Sequence, residues 1–209
     1  VRGELLLLDR DALSSGEQAT VRVELDEQVC CAAEDRFLLR LQNPAITVGG
    51  GRVLRLARSG RYRRKELGAE LQGILAAGNR PEARIDHELA RAAAEGSPID
   101  ELARALSIED AKVLAVAADM PHVLLHEQAM RLFRQSDVDA GERELLDSVD
   151  RMLARRAAAA SIKRTALRTT KSLPQPMIEC VLDRLQRAGR VRAGSQGQIL
   201  FVDRLRDRK

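Results

Sequence analysis

Eight basic side chains near the C-terminal end have the density needed to hold a polyanion. Lys163, Arg164, Arg168 and Lys171 fall in one short stretch, and Arg184, Arg187, Arg190 and Arg192 follow at spacings of two or three residues. Ammonium and guanidinium groups clustered in this way neutralise phosphates and release their counterions, which gives affinity independent of base sequence. The charge distribution points the same way. Residues 151–209 hold 15 Lys and Arg against 4 Asp and Glu, whereas the first 150 hold 20 against 27. A strongly basic end thus follows an acidic body. Aromatic residues make up only 2% of the chain, so rows of stacked bases cannot carry recognition, and charge and shape must do so. The competing reading of the same residues is a solvated cationic face.

Other chemistry has less to work with. His122 and His126 in HVLLH would share one face of a strand, but no third ligand stands beside them, so they read as two polar strand positions and no metal site is expected. Cys30, Cys31 and Cys180 are odd in number and form no CxxC pair; they read as reduced, packing cysteines. His87 sits among helix-face polar residues, and neither GxSxG nor HExxH occurs. No catalytic residue is expected. At 44% hydrophobic and 32% charged residues, with no apolar run near the roughly 20 residues a bilayer requires, the composition is that of a soluble chain with no membrane span. No signal peptide opens it, because Leu5 to Leu8 runs straight into Asp9, Arg10 and Asp11. A cytoplasmic location is expected.

Two kinds of element must position these residues. The first sixty residues alternate with a period of two in the runs 3–8, 19–25, 36–41 and 46–54, separated by the turn residues Ser14-Ser15-Gly16, Glu34-Asp35 and Asn43-Pro44. Short strands joined in this way suggest a barrel or part of one. Beyond Arg55 the period lengthens to that of helices, predicted at 65–77, 81–95, 98–106 and 108–118, with a basic linker at Arg58 to Arg64. In IDELARALSIEDAKVLAVA, Ile99, Leu102, Ala103 and Leu106 form one apolar face of a helix-turn-helix, and VLLH after Pro121 supplies a strand. The last segment repeats the plan. A helix at 140–160 carries Leu145, Leu146, Val149, Met152 and Leu153, and a second is predicted at 161–169. A third, in PQPMIECVLDRLQRAG, turns Ile178, Val181, Leu182 and Leu185 inward and stops at Gly189. Strands at 190–193 and 198–202 surround the glycine turn Gly194 to Gly197. Three helices followed by a β-wing describe a winged-helix domain.

RFLLRLQNPAITVGGGRV, residues 36–53, resembles the closing hairpin of the third domain of elongation factor Tu and its relatives, in which RF-x-x-R leads into TVG-x-G-x-V. VGGGRVL is most similar to the selenocysteine-specific branch, and the order of barrel end followed by winged helices resembles that branch too. The chain departs from the wider pattern at Leu41 and Ile46. The glycines Gly49, Gly50 and Gly51 are read as sites of close backbone approach at a barrel corner.

The resemblance implies an α+β multi-domain chain: the C-terminal part of an elongation-factor β-barrel at 1–57, a linker and first winged helix at 58–135, and an RNA-binding winged helix at 136–209. It implies an mRNA stem-loop, selenocysteinyl-tRNA and the ribosome as partners, with Arg36, Arg40, Thr47 and Arg52 on the tRNA side. GTP and magnesium would belong to an N-terminal domain, since neither GxxxxGK[ST] nor NKxD occurs here; no cofactor is expected in this chain. The start at Val1, within what reads as a barrel, suggests a fragment or split gene product. The alternative function is that of a winged-helix DNA-binding regulator. For the first winged helix, with Asp100, Glu101, Glu109, Asp110 and Asp119, a structural spacer is the simpler reading.

Overall fold

The computed structural model describes residues 1–56, 63–154, 161–168, 173–194 and 197–202, with Arg168 described in its backbone alone. The chain divides into two compact units, one of Val1–His87 with Glu101–Val113 and the other of Glu88–Asp100 with Leu114–Lys209. The segment 58–135 contributes to both.

The first unit opens with four strands whose boundaries follow the alternation closely: β1 (Gly3–Leu7), β2 (Val21–Leu25), β3 (Arg36–Arg40) and β4 (Thr47–Arg52). They form two separate antiparallel ribbons, β1 with β2 and β3 with β4, and no closed barrel exists among the described residues. The turn between β3 and β4 contains a cis Asn43-Pro44 peptide. Two of the three glycines in β4 are required by packing. A Cβ on Gly50 would lie 2.6 Å from the Phe37 carbonyl oxygen and one on Gly51 2.6 Å from the Phe37 ring, whereas at Gly49 it would meet nothing. The close approach expected at all three therefore holds for two. Helix α1 (Arg64–Ala77) covers part of this region, and Leu8, Leu71 and Ile74 form a small core with Leu54 and Leu67 against it. Helix α2 (Pro81–Ala92) follows.

Helix α3 (Ile99–Leu106) buries Ile99, Leu102, Ala103 and Leu106, the four residues expected to face inward, and α4 (Asp110–Ala118) buries Val113, Val116 and Ala117. In the second unit, β5 (Ser97–Pro98), β6 (Val123–His126) and β7 (Arg131–Arg134) form a sheet in the order β5-β7-β6. β7 passes without a loop into α5 (Gln135–Ala154). β8 (Ser161–Lys163) and α6 (Arg164–Arg168) occupy the stretch expected to be one helix. α7 (Gln175–Arg187) precedes β9 (Val191–Ala193) and β10 (Gln198–Phe201), and the second sheet has the order β8-β10-β9.

A large buried core joins several elements of the second unit. Phe133 of β7, Val138, Leu145 and Val149 of α5, Leu167 of α6, Met177, Ile178, Val181 and Leu185 of α7, and Ile199 and Phe201 of β10 belong to a single buried cluster. Burying side chains of this size contributes roughly 1.5 to 3 kcal/mol each before conformational entropy is counted. Close contacts fix how its elements meet. A Cβ on Gly141 of α5 would lie 2.8 Å from Met177 Cγ of α7. Gly96 combines a positive φ of 60° with a Phe133 ring where its Cβ would be, at 2.4 Å, so no other residue fits there without rearrangement.

Candidate nucleic-acid interface

The β8-β10-β9 sheet has one apolar and one polar face because strand side chains alternate. Ile162, Ile199, Val191 and Phe201 are buried on the core side. Lys163 pairs in register with Gln198, and Ser161 and Arg192 both pair with Leu200. These five residues therefore share the opposite face, where Lys163 and Arg192 are exposed. Ser161 Oγ donates to Gln198 Oε1 at 3.0 Å, holding the middle of that face in place. Lys163 and Arg192 have no ionic or hydrogen-bonding partner among the described residues.

Four other predicted cations are engaged. Arg164 pairs with Glu179, and Arg187 with Asp183 at 2.9 Å, one helical turn away. Arg184 reaches Asp139 at 2.6 Å and Glu142 at 3.5 Å, and Arg190 reaches Glu142 at 2.6 Å. The hydrogen bond from Arg184 is the main reason the Asp139 carboxyl is held below the usual carboxylate range. Lys171 and the Arg168 side chain lie outside the described residues.

The N-terminus of α7 offers phosphate less than a typical helix start. Pro174 caps it, Pro176 carries no N–H, and the Met177 N–H is bonded to the Pro174 carbonyl at 3.1 Å. A cleft of about 220 Å³ lies beside this helix and the sheet. Arg164, Asp183, Gln186, Arg192 and Gln198 line it, and Gln128 adds a polar group from the turn between β6 and β7. Sequence reasoning missed Ser161, Gln198 and Gln128, which are neutral residues in short elements without periodicity.

The two histidines part company. His122 precedes β6, while His126 ends it, buried, with neither ring nitrogen hydrogen-bonded. Burial lowers its pKa from the usual imidazole value, against the pull of Asp183 and with the help of Arg187. No group of residues able to hold a metal occurs among the described residues.

On the first unit, the β3–β4 ribbon brings Arg36, Arg40, Thr47 and Arg52 to one face, with Arg36 opposite Arg52 and Arg40 opposite Thr47. Two like charges directly opposed repel. Arg52 is offset by Glu34 Oε2 at 2.8 Å and by Asn79 Oδ1 at 3.1 Å. Arg40 donates to the Ala45 carbonyl at 3.3 Å, and Arg36 has no partner among the described residues.

The chain consists of ribbons, helices and small sheets in a mixed α+β arrangement. That arrangement is shared with a translation factor. The chain is similar to a bacterial selenocysteine-specific elongation factor, EF-Sec, with a TM-score of 0.57 at 13% identity over 96% of this chain. It spans 29% of that protein's length. No protein-family model and no curated protein matches the sequence. The likeness to EF-Sec establishes a mixed α+β fold resembling part of that factor. Among the described residues no helix is long and apolar enough to cross a membrane.

Proposed function

We propose that this chain is the C-terminal, RNA-tethering portion of a selenocysteine-specific elongation factor. In this reading the ribbons of β1 to β4 belong to an elongation-factor barrel, and the two sheet-bearing modules are tandem winged helices. The observation that carries it is the fold likeness running through 96% of the chain, in the order the hairpin motif at 36–53 implies. The cations Lys163 and Arg192 on the outer face of the terminal sheet, without a partner among the described residues, support RNA contact there, with Arg168 and Lys171 added from the sequence. Arg36, Arg40, Thr47 and Arg52 form the proposed tRNA-side face. The chain works in the cytoplasm without catalysis of its own, and GTP and magnesium belong to the GTPase part of such a factor.

The mechanism is tethering. A chain that grips an mRNA stem-loop at one end and the selenocysteinyl-tRNA complex at the other makes the second encounter intramolecular, which raises the local concentration of that tRNA at one codon on the ribosome. The DNA-binding alternative relies on a third helix presenting its basic residues to a major groove. Here Arg184 and Arg187 of α7 are already paired with carboxylates, which favours the RNA reading. Competition binding decides between them: a stem-loop taken from beside a UGA codon of the source genome should displace a labelled copy of itself far better than duplex DNA of equal length does. Equal competition by the duplex would reject the tether.

A further inference from the structure

The terminal unit carries its own competitor for phosphate. Glu142 sits on α5 with only 16% of its side chain exposed and contacts two arginines, Arg190 at 2.6 Å and Arg184 at 3.5 Å. Asp139, one turn earlier, takes the other side of Arg184 at 2.6 Å. Asp139 is itself positioned, since Gln135 Nε2 donates to its Oδ1 at 2.9 Å. Asp139 is therefore anchored before any ligand arrives, and Glu142 is held by two arginines at once. A phosphate would have to displace a formed, partly desolvated pair to reach either guanidinium, and partly buried pairs are screened by salt far less than exposed ones. Among the described residues, Lys163 and Arg192 meet no such competition on the sheet face.

We infer that Asp139 and Glu142 are specificity-determining residues, which withhold Arg184 and Arg190 from nucleic acid and so confine binding to the face of the β8-β10-β9 sheet. The consequence is a lower general affinity for polyanions, because each withheld cation removes one counterion-release contribution that every RNA would share. What remains depends on a stem-loop matching the spacing of the cations on one face. This inference rests on the RNA reading above and concerns which cations serve it.

The test uses the full chain and two probes, a stem-loop RNA from beside a UGA codon of the source genome and a polyuridine strand, with affinity measured between about 50 and 200 mM salt. The double variant Asp139→Asn, Glu142→Gln keeps the side-chain shapes and removes both carboxylate charges from Arg184 and Arg190. Its plot of log affinity against log salt should steepen by roughly 1.4 to 1.8 relative to the unmodified chain, and its polyuridine affinity should rise at low salt. The variant Arg184→Gln, Arg190→Gln supplies an independent reading that does not require the carboxylates to be changed, and its slope should match that of the unmodified chain. An unchanged slope in the first variant, or a slope shallower by more than one in the second, overturns the inference while leaving RNA binding in place. Failure of every form to bind either probe overturns the RNA reading and the inference together.

Discussion

Leu38 and Val48 in the β3–β4 ribbon are 77% and 58% exposed, while Leu145 and Ile178 in the second unit are 0% and 1% exposed. All four lie in segments that their hydrophobic period identified correctly. The period specifies which face of an element is apolar, but a second layer must supply what covers it. In the second unit α5, α6, α7 and two sheets close one core. Beside the ribbons, α1 contributes to a small cluster of five residues around Leu8. Two-stranded ribbons are marginal by themselves in water, and the apolar side chains on Leu5, Leu6, Leu38, Ile46 and Val48 leave this region the more weakly held of the two.

The largest expected effect comes from truncating matched aliphatic residues in the two regions. Ile178→Ala should cost about 3 kcal/mol of stability through lost burial and the cavity left behind, and Leu38→Ala should change it by less than roughly 0.5 kcal/mol. Urea denaturation monitored by circular dichroism measures both, and comparable losses would break the contrast.

Thiol reactivity sharpens it at intermediate size. Cys30 is exposed, Cys31 half-buried and Cys180 buried. Burial pushes the Cys180 thiol up to about 11, outweighing the opposing pull of Arg184 and Arg187. An aromatic disulfide reagent at pH 8 should therefore titrate Cys30 and Cys31 rapidly, and Cys180 only after denaturant is added. The same shift has a sign in stability. Above the ordinary thiol value of 9.0 the unfolded chain loses a proton that the folded chain keeps, so stability should fall as pH rises from about 9 to 11. Cys180→Ala should remove that part of the alkaline decline, and immediate labelling of all three thiols would show the second core to be open.

The smallest effect concerns Asp139. Its pKa is depressed by Arg184, so its pairing stabilises the fold above the ordinary carboxyl value of 3.8 and that contribution fades as pH falls below it. Asp139→Asn should lower stability slightly at neutral pH, where the pair is formed, and the difference from the unmodified chain should fade as pH falls through the depressed carboxyl value, which flattens the acid limb. A loss of the same size at pH 7 and pH 3 would assign the residue a packing role instead.

Much of the architecture was legible because its signals are local. The strand runs at 3–8, 19–25, 36–41 and 46–54 and the structure's β1 to β4 differ only at their ends. α7 turns inward the four residues its spacing named. β7 was missed because RLFR has Leu132 and Phe133 adjacent and both fully buried, so no alternation marks it. The start of α5 was placed late for a related reason. It follows β7 directly, and its first turns, QSDVDAG, are written in residues that elsewhere make loops. β8 is three residues long with one apolar side chain, too short to display a period. In the candidate site, the sequence located the cations but could not sort them. The Asp183–Arg187 pair is visible as an i,i+4 spacing, whereas the partners of Arg184 and Arg190 lie 45 and 48 residues away and meet only through the α5–α7 packing.

Lysine footprinting tests the placement of RNA on the terminal sheet most directly. The chain is acetylated with and without a saturating stem-loop from beside a UGA codon, and modification at each lysine is read by mass spectrometry. Lys163 on the outer sheet face should be protected by the RNA, while Lys65 and Lys112, exposed in the first unit, should keep their reactivity. Undiminished acetylation of Lys163 in the complex, or protection of Lys65 and Lys112 in its place, would contradict the account.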